Sequence, residues 1–181
     1  GSGDSILQFF TDIGNNFYFM VSNYGSSSEE LWKSDGTETG TVMIKDFSGS
    51  NSGCYSYLTA IGNELYFCAS EGTYGQELWK SDGTTAGTVI VKDINPGSDG
   101  SWPSRLTVVG NTLFFRANDG VHGQELWKSD GTAAGTIIVK DINPGSGDSF
   151  EYYRSESVVI GNTFYFQATD DQSCELWKSD G

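Results

Sequence analysis

The sequence predicts an all-β protein, a β-propeller built of four-stranded antiparallel blades. Three observations carry that expectation. The phrase Glu-Leu-Trp-Lys-Ser-Asp-Gly occurs four times, at 30–36, 77–83, 125–131 and 175–181, and its tryptophans Trp32, Trp79, Trp127 and Trp177 recur at intervals of 47, 48 and 50 residues. Self-similarity at a fixed period of this length is the mark of a repeat architecture. Glycine is abundant (24) and proline scarce (3), and aromatic and β-branched runs alternate with glycine-bounded turns, which reads as all-β. No segment sustains a 3.6-residue apolar period over helical length, so no helix is expected.

The third repeat shows the unit. A first strand is predicted over 105–109, followed by the tight turn Gly110-Asn111 and a second strand over 112–117. The loop 118–123 leads to a third strand over 124–129. A turn over 130–135 follows, in which the aspartate of Asp-Gly can bond its own following backbone. The fourth strand is predicted over 136–142. The other repeats follow the same order. Gly-Asn recurs at Gly14, Gly62, Gly110 and Gly161, and Thr-x-x-Gly-Thr with its Lys-Asp ending recurs at 37–46, 84–93 and 132–141.

Side chains alternate along a strand. Leu113, Phe115 and Ala117 therefore share one face of the second strand and Phe114 occupies the other, so both faces are apolar. A sheet sandwiched between two other sheets needs this, and four strands per repeat of about 48 residues is the unit of a propeller blade. The chain divides into repeats at approximately 1–53, 54–101, 102–149 and 150–181, within one domain. The last repeat stops before its fourth strand, and residues 1–5 match 145–149 inside the third connection. The sequence thus reads as an open array that enters and leaves in mid-repeat, to be completed by further sequence or by another copy. The edge formed by the third strand of the last repeat would recruit a strand unless covered.

Charge narrows the partners. Asp plus Glu number 24 against 10 Lys plus Arg, a formal charge of −14. A phosphate backbone or anionic membrane surface would be repelled, so no nucleic acid and no membrane insertion are expected. No apolar run approaches the ~20 residues of a membrane span. The three cysteines are too few and irregular for a disulfide framework or a zinc site. Cys68 lies in an apolar run and reads as a small buried hydrophobe. Cys54 and Cys174 fall in predicted loops, where pairing with each other or with another chain stays open.

Glu-Leu-Trp-Lys-Ser-Asp-Gly-Thr followed by x-x-Gly-Thr resembles the ELWxxDGT repeat found in tandem in secreted bacterial proteins. The match runs over essentially the whole chain, three times in full and once truncated. Residues 71–93 and 119–141 fit best, and the first repeat departs from the pattern at 26–29. The resemblance implies an extracellular or cell-surface, propeller-like repeat protein. It implies no activity, so function must come from the site.

Few residues point to catalysis. The only histidine, His122, stands in a loop whose counterpart in the second repeat carries Tyr74, and the acidic residues recur by repeat instead of forming one asymmetric cluster. No glycine-rich phosphate loop precedes a helix, so no nucleotide cofactor is expected. The recurrent tryptophans Trp32, Trp79, Trp127 and Trp177 read as inter-blade packing residues more readily than as sugar platforms. The turn aspartates Asp35, Asp82 and Asp130 read as turn closures. Calcium wants several converging oxygens, which one carboxylate and a hydroxyl supply thinly, so no metal is assigned.

The connections between repeats offer more. Nine residues after each Lys-Asp aspartate stands an aromatic, Tyr55, Trp102 and Phe150, with Tyr152 and Tyr153 nearby. In a meander these connections emerge on the same face as the loops carrying Tyr74 and His122. One face is therefore expected to be aromatic and flanked by Asp, Asn and Ser. Such a surface suits contacts with sugars or proteins, or a cap on the inter-blade core. The expected function is a non-enzymatic extracellular module for binding, adhesion or scaffolding, whose partners are other copies of itself or a surface protein or glycan. A lectin-like carbohydrate receptor is the alternative, and a hydrolase the weakest reading.

Overall fold

The structure, a computed structural model, describes residues 5–23, 29–47, 58–150 and 156–181 of the 181-residue chain. Fifteen strands and no helix are found among the described residues. They form four antiparallel sheets, each made from consecutive strands. The first holds β1 (Ser5–Ile13), β2 (Asn16–Asn23), β3 (Glu29–Ser34) and β4 (Val42–Asp46). The second holds β5 (Thr59–Ile61), β6 (Glu64–Glu71), β7 (Tyr74–Ser81) and β8 (Val89–Lys92). The third holds β9 (Ser104–Val109), β10 (Thr112–Asn118), β11 (Gln124–Ser129) and β12 (Ile137–Lys140). The fourth has three strands, β13 (Ser157–Ile160), β14 (Thr163–Thr169) and β15 (Cys174–Ser179).

The pairing register shows why the repeated phrase is a strand. Phe19, Phe67, Phe115 and Phe166 lie directly opposite Trp32, Trp79, Trp127 and Trp177. Cross-strand aromatic pairs of this kind stabilise a sheet by roughly 0.2–1 kcal/mol each. A bulge between the leucine and tryptophan of the phrase recurs in the first three sheets, at Leu31/Trp32, Leu78/Trp79 and Leu126/Trp127. Bulges raise local twist. The fourth strands are shorter than expected: β12 covers four residues where seven were anticipated, because Thr136 belongs to the turn and the Ile142 N–H bonds to the Glu125 carboxylate instead of to a strand.

Consecutive sheets pack face to face, and alternation decides which residue faces which neighbour. Tyr18, Met20, Leu31 and Ile44 of the first sheet share a core with Leu65, Phe67, Ala69 and Trp79 of the second. Tyr66, Leu78 and Val91 of the second meet Leu113, Phe115, Ala117 and Trp127 of the third. Phe114 and Leu126 of the third meet Phe164, Phe166 and Ala168 of the fourth, with Trp177 packed against that cluster. The second and third phrases therefore each contribute to two interfaces, the tryptophan to the preceding sheet and the leucine to the following one. A lysine from each fourth strand adds a cation over the next sheet's indole, Lys45 over Trp79, Lys92 over Trp127 and Lys140 over Trp177, at 5.2, 5.7 and 4.6 Å.

The turn after the phrase explains the rest of the repeat. The Asp82 carboxylate accepts the Thr84 N–H at 2.9 Å and the Thr84 hydroxyl at 2.7 Å. The Thr84 hydroxyl oxygen accepts the Gly87 N–H at 3.0 Å, and the Thr88 hydroxyl donates to the Thr84 carbonyl at 2.7 Å. Ser81 and Thr88 hydroxyls bond at 2.7 Å, and the Ser81 oxygen accepts the Gly83 N–H. The same network stands on Asp35 with Thr37 and on Asp130 with Thr132. Two glycines are required here for different reasons. Gly83 has φ +85°, which L side chains rarely adopt, while a side chain at Gly87 would overlap the held Asp82 carboxylate.

The cysteines depart from expectation. Cys68 is buried but is disulfide-bonded, so it is more than an apolar filler. Cys174 is a free, exposed thiol and does not pair with Cys54, which lies outside the described residues.

Candidate functional site

The antiparallel meander gathers two sets of segments at one end of the sheets: the loops between second and third strands, and the connections from one sheet to the next. Recurrent glutamates anchor those connections. Glu77, fully buried in β7, accepts the backbone N–H groups of Ile94 and Asn95, both at 3.1 Å, and the Ser101 hydroxyl at 2.5 Å. Glu125 repeats this with Ile142, Asn143 and Ser149. Burial pushes both carboxyls above the usual carboxylate range, and the three donors oppose that rise. The two carboxylate oxygens supply the acceptor sites that these three donors need. The glutamate thus bonds to the chain that links two sheets rather than to the neighbouring sheet itself.

Ser101 and Ser149 stitch those sheets together. The Gln76 carbonyl accepts the N–H of Ser101 at 2.8 Å and of Trp102 at 3.1 Å, while the Ser101 carbonyl accepts the Asn118 N–H at 2.9 Å. Gln124, Ser149 and Thr169 repeat the bridge. Sequence reasoning passed over these serines. Their signal is a fixed place immediately before the aromatics Trp102 and Phe150, where the larger side chain drew the attention.

Those two aromatics take opposite fates. Trp102 is 51% exposed, with φ 54° and its indole N–H donating to the Asp99 carbonyl at 2.8 Å. A non-glycine residue in the left-handed region is uncommon, and here its backbone N–H bond to Gln76 and its indole bond hold it. Phe150, expected beside it on one exposed surface, is only 4% exposed. Its ring lies 6.0 Å from Phe166 and carries the Arg116 guanidinium 4.2 Å above it, so it belongs to the core between the third and fourth sheets. Burial, with Arg105 nearby, lowers the Arg116 pKa to about 10.

Tyr74 is exposed at the start of β7, next to Gly75, whose N–H donates to Gly97 of the connection leading to Trp102. Tyr74 and the Trp102 segment are thereby brought to the same end. His122 lies in the loop before β11. Its ring Nδ1 is 2.7 Å from Asp119, which also accepts the His122 and Val121 N–H groups. Asp119 raises the imidazole pKa. Burial alone would raise Asp119, but these bonds hold its carboxyl below the usual range. Tyr55, Tyr152 and Tyr153 lie outside the described residues.

Among the recurrent tryptophans, Trp79 and Trp127 are buried while Trp32 and Trp177 are half-buried. Among the described residues only Trp32 of the four finds an indole hydrogen bond, donating to Glu30 at 2.8 Å. The described residues contain no group of three or more His, Cys, Asp or Glu arranged to hold a metal ion. No helix among them is long and apolar enough to cross a membrane.

No protein-family model matches the chain, and no curated protein does. Solved structures do match. A prolyl endopeptidase is 15% identical with a TM-score of 0.56, over 97% of this chain and 26% of its own. A puromycin hydrolase is 12% identical with a TM-score of 0.57, over 96% and 26%. The isopeptidase AtxE2 is 13% identical with a TM-score of 0.55, over 88% and 25%. The chain spans about a quarter of the length of each, and at these identities the likeness is one of fold alone.

Proposed function

We propose that the chain is a non-enzymatic repeat module of the β-propeller type, built of ELWxxDGT-like repeats, that works outside the cell as a binding or scaffolding element. The observation that carries this reading is how the recurrent polar residues are used. Glu77 and Glu125 hold the connections between sheets, and Asp35, Asp82 and Asp130 close turns. Side chains engaged in this way build an array and leave little for chemistry. The disulfide at Cys68 supports an oxidising compartment. Likeness in fold to hydrolases does not transfer their activity, since one fold hosts many functions.

A lectin-like reading is favoured by one feature, the rigidly held and exposed indole of Trp102 beside Asp99. An array of glycans and a panel of peptide and glycoside substrates separate the readings, using the wild-type chain, Trp102→Ala and Asp119→Asn. The module reading expects no turnover from any of the three. Saccharide capture lost in Trp102→Ala at an unchanged melting temperature would establish the lectin. Turnover that Asp119→Asn abolishes would overturn the non-enzymatic reading.

A further inference from the structure

Buried charge is not treated alike throughout the chain. Glu77 and Glu125 each face three donors, but Arg116, only 6% exposed in β10, faces no acceptor. Among the described residues the ion pairs are Lys45–Glu71, Lys80–Glu64 and His122–Asp119, and neither Arg116 nor Arg105 belongs to one. The Arg116 guanidinium lies over the Phe150 ring, with Arg105 as its charged neighbour. A guanidinium carries five N–H donors, and a buried charge without an acceptor is costly. Its pKa of about 10 leaves it protonated at neutral pH.

This arginine breaks the repeat. Arg116 pairs with Leu126, where the other sheets set Met20, Cys68 and Gln167 opposite the leucine of the phrase. A second cation reaches it from β9. The irregular pairing of β9 with β10 leaves Arg105 at φ 56°, as the same irregularity in the first sheet leaves Phe9 at φ 57°. Phe9 packs against the core between the first and second sheets. The same turn of the backbone in the third sheet aims Arg105 toward the fourth. Two like charges therefore stand together in a chain whose formal charge is −14.

Both arginines line a cavity of about 10 Å³ between the third and fourth sheets, walled by Phe150, Leu126 and Phe166, with Ser157 as a further polar group. Arg105 and Ser157 are exposed, so the cavity is reached from the surface beside them. A space of this size holds about one water-sized group. Water would satisfy N–H donors but leave two positive charges unbalanced against apolar walls. A carboxylate oxygen answers both needs, because carboxylates match the guanidinium fork and carry the opposite charge. We infer that this cavity is an anion site that seats a carboxylate oxygen against Arg116, with the rest of the ligand leaving past Arg105 and Ser157. The carboxylate is carried by a small acid or by an acidic sugar. The site is independent of the module reading, which would survive its absence.

The test is calorimetric titration with acetate, in chloride-free buffer at fixed ionic strength, of the wild type, Arg116→Met and Arg105→Ala. The wild type is expected to bind one acetate per chain. Arg116→Met should lose that binding and, without acetate, melt no lower than the wild type, because an unpaired buried charge has been replaced by an apolar side chain. Arg105 is exposed, so Arg105→Ala should keep the wild-type melting curve while weakening acetate several-fold. That second variant decides the matter even if Arg116→Met fails to fold. Glucuronate then separates the two sources. Binding as tight as acetate assigns the site to an acidic sugar, and binding of acetate alone assigns it to a small free acid. No saturable acetate binding by the wild type, or binding that Arg105→Ala leaves unchanged, would overturn the inference and leave water as the occupant.

Discussion

Leu78 and Leu176 stand at the same place in the same seven-residue phrase, yet one is fully buried and the other is 78% exposed. Their local structures agree. Both lie in the third strand of a sheet, each preceding a tryptophan that faces a phenylalanine, and both phrases end with a serine hydroxyl accepting a glycine N–H. The difference is the neighbour. Leu78 has the third sheet against it, while no described sheet covers Leu176. The phrase therefore forms the same strand and the same serine–glycine bond in both places, but its energetic worth depends on the sheet that covers it. Burying a leucine or phenylalanine stabilises by roughly 1.5–3 kcal/mol, and an uncovered one leaves that gain unrealised.

The comparison breaks most visibly at the tryptophans. Trp79→Ala empties the core between the first two sheets and is expected to destabilise by about 3–5 kcal/mol in denaturant unfolding. Trp32→Ala, on the outer face, is expected to cost less than half as much. Equal losses would mean that the indole's role is local to its own strand.

Glu77→Ala comes next. It leaves the buried Ile94 N–H without an acceptor, at roughly 1–3 kcal/mol, while the part-buried Asn95 N–H can turn to water, so a loss of about 1–3 kcal/mol is expected. Glu77→Gln should recover part of it. Asp82→Ala is expected to lower the melting temperature less than Glu77→Ala, because the turn it closes is at the surface and other hydroxyl bonds remain.

Acidity should move stability in a defined direction. Glu77 and Glu125 have raised folded pKa values, so the folded state binds more protons and stability falls as pH rises through their window above the unfolded carboxylate value of about 4.3. His122 is also raised, so its contribution is present below about pH 6.5 and is lost as pH rises through its folded pKa. The turn aspartates, Asp35, Asp82 and Asp130, are lowered and act oppositely, losing stability as pH falls below about 3.9 toward their folded pKa values. The melting temperature is thus expected to rise on going from alkaline toward mildly acidic pH and then to fall steeply. A melting temperature that drops steadily from neutral pH downward would contradict the account of the two glutamates. The smallest effect belongs to Trp102→Ala, expected to change stability by about 0.5 kcal/mol or less because the ring is exposed.

Period and alternation made much of this legible in the sequence. The third strand of the third repeat, β11, falls where the phrase puts it, and Leu113, Phe115 and Ala117 face the second sheet while Phe114 faces the fourth. What escaped were features that depend on a partner distant in sequence. Phe150 and Trp102 share a repeat position, but Arg116 and Phe166 draw one ring inward, and no spacing rule announces that. Ser101 and Ser149 look like ordinary loop serines until the buried glutamates are seen opposite them. The sequence places Gly87 in a glycine-bounded turn, but its necessity comes from the carboxylate of Asp82 lying against it.

The central claim is that identical repeats are stabilised by the neighbour each leucine finds. Its most direct test is the pair Leu78→Ala and Leu176→Ala, unfolded by denaturant at a concentration where the chain is monomeric. The account predicts a loss of about 2–5 kcal/mol for Leu78→Ala and a change within about 0.5 kcal/mol for Leu176→Ala. Equal losses at the two positions would contradict it.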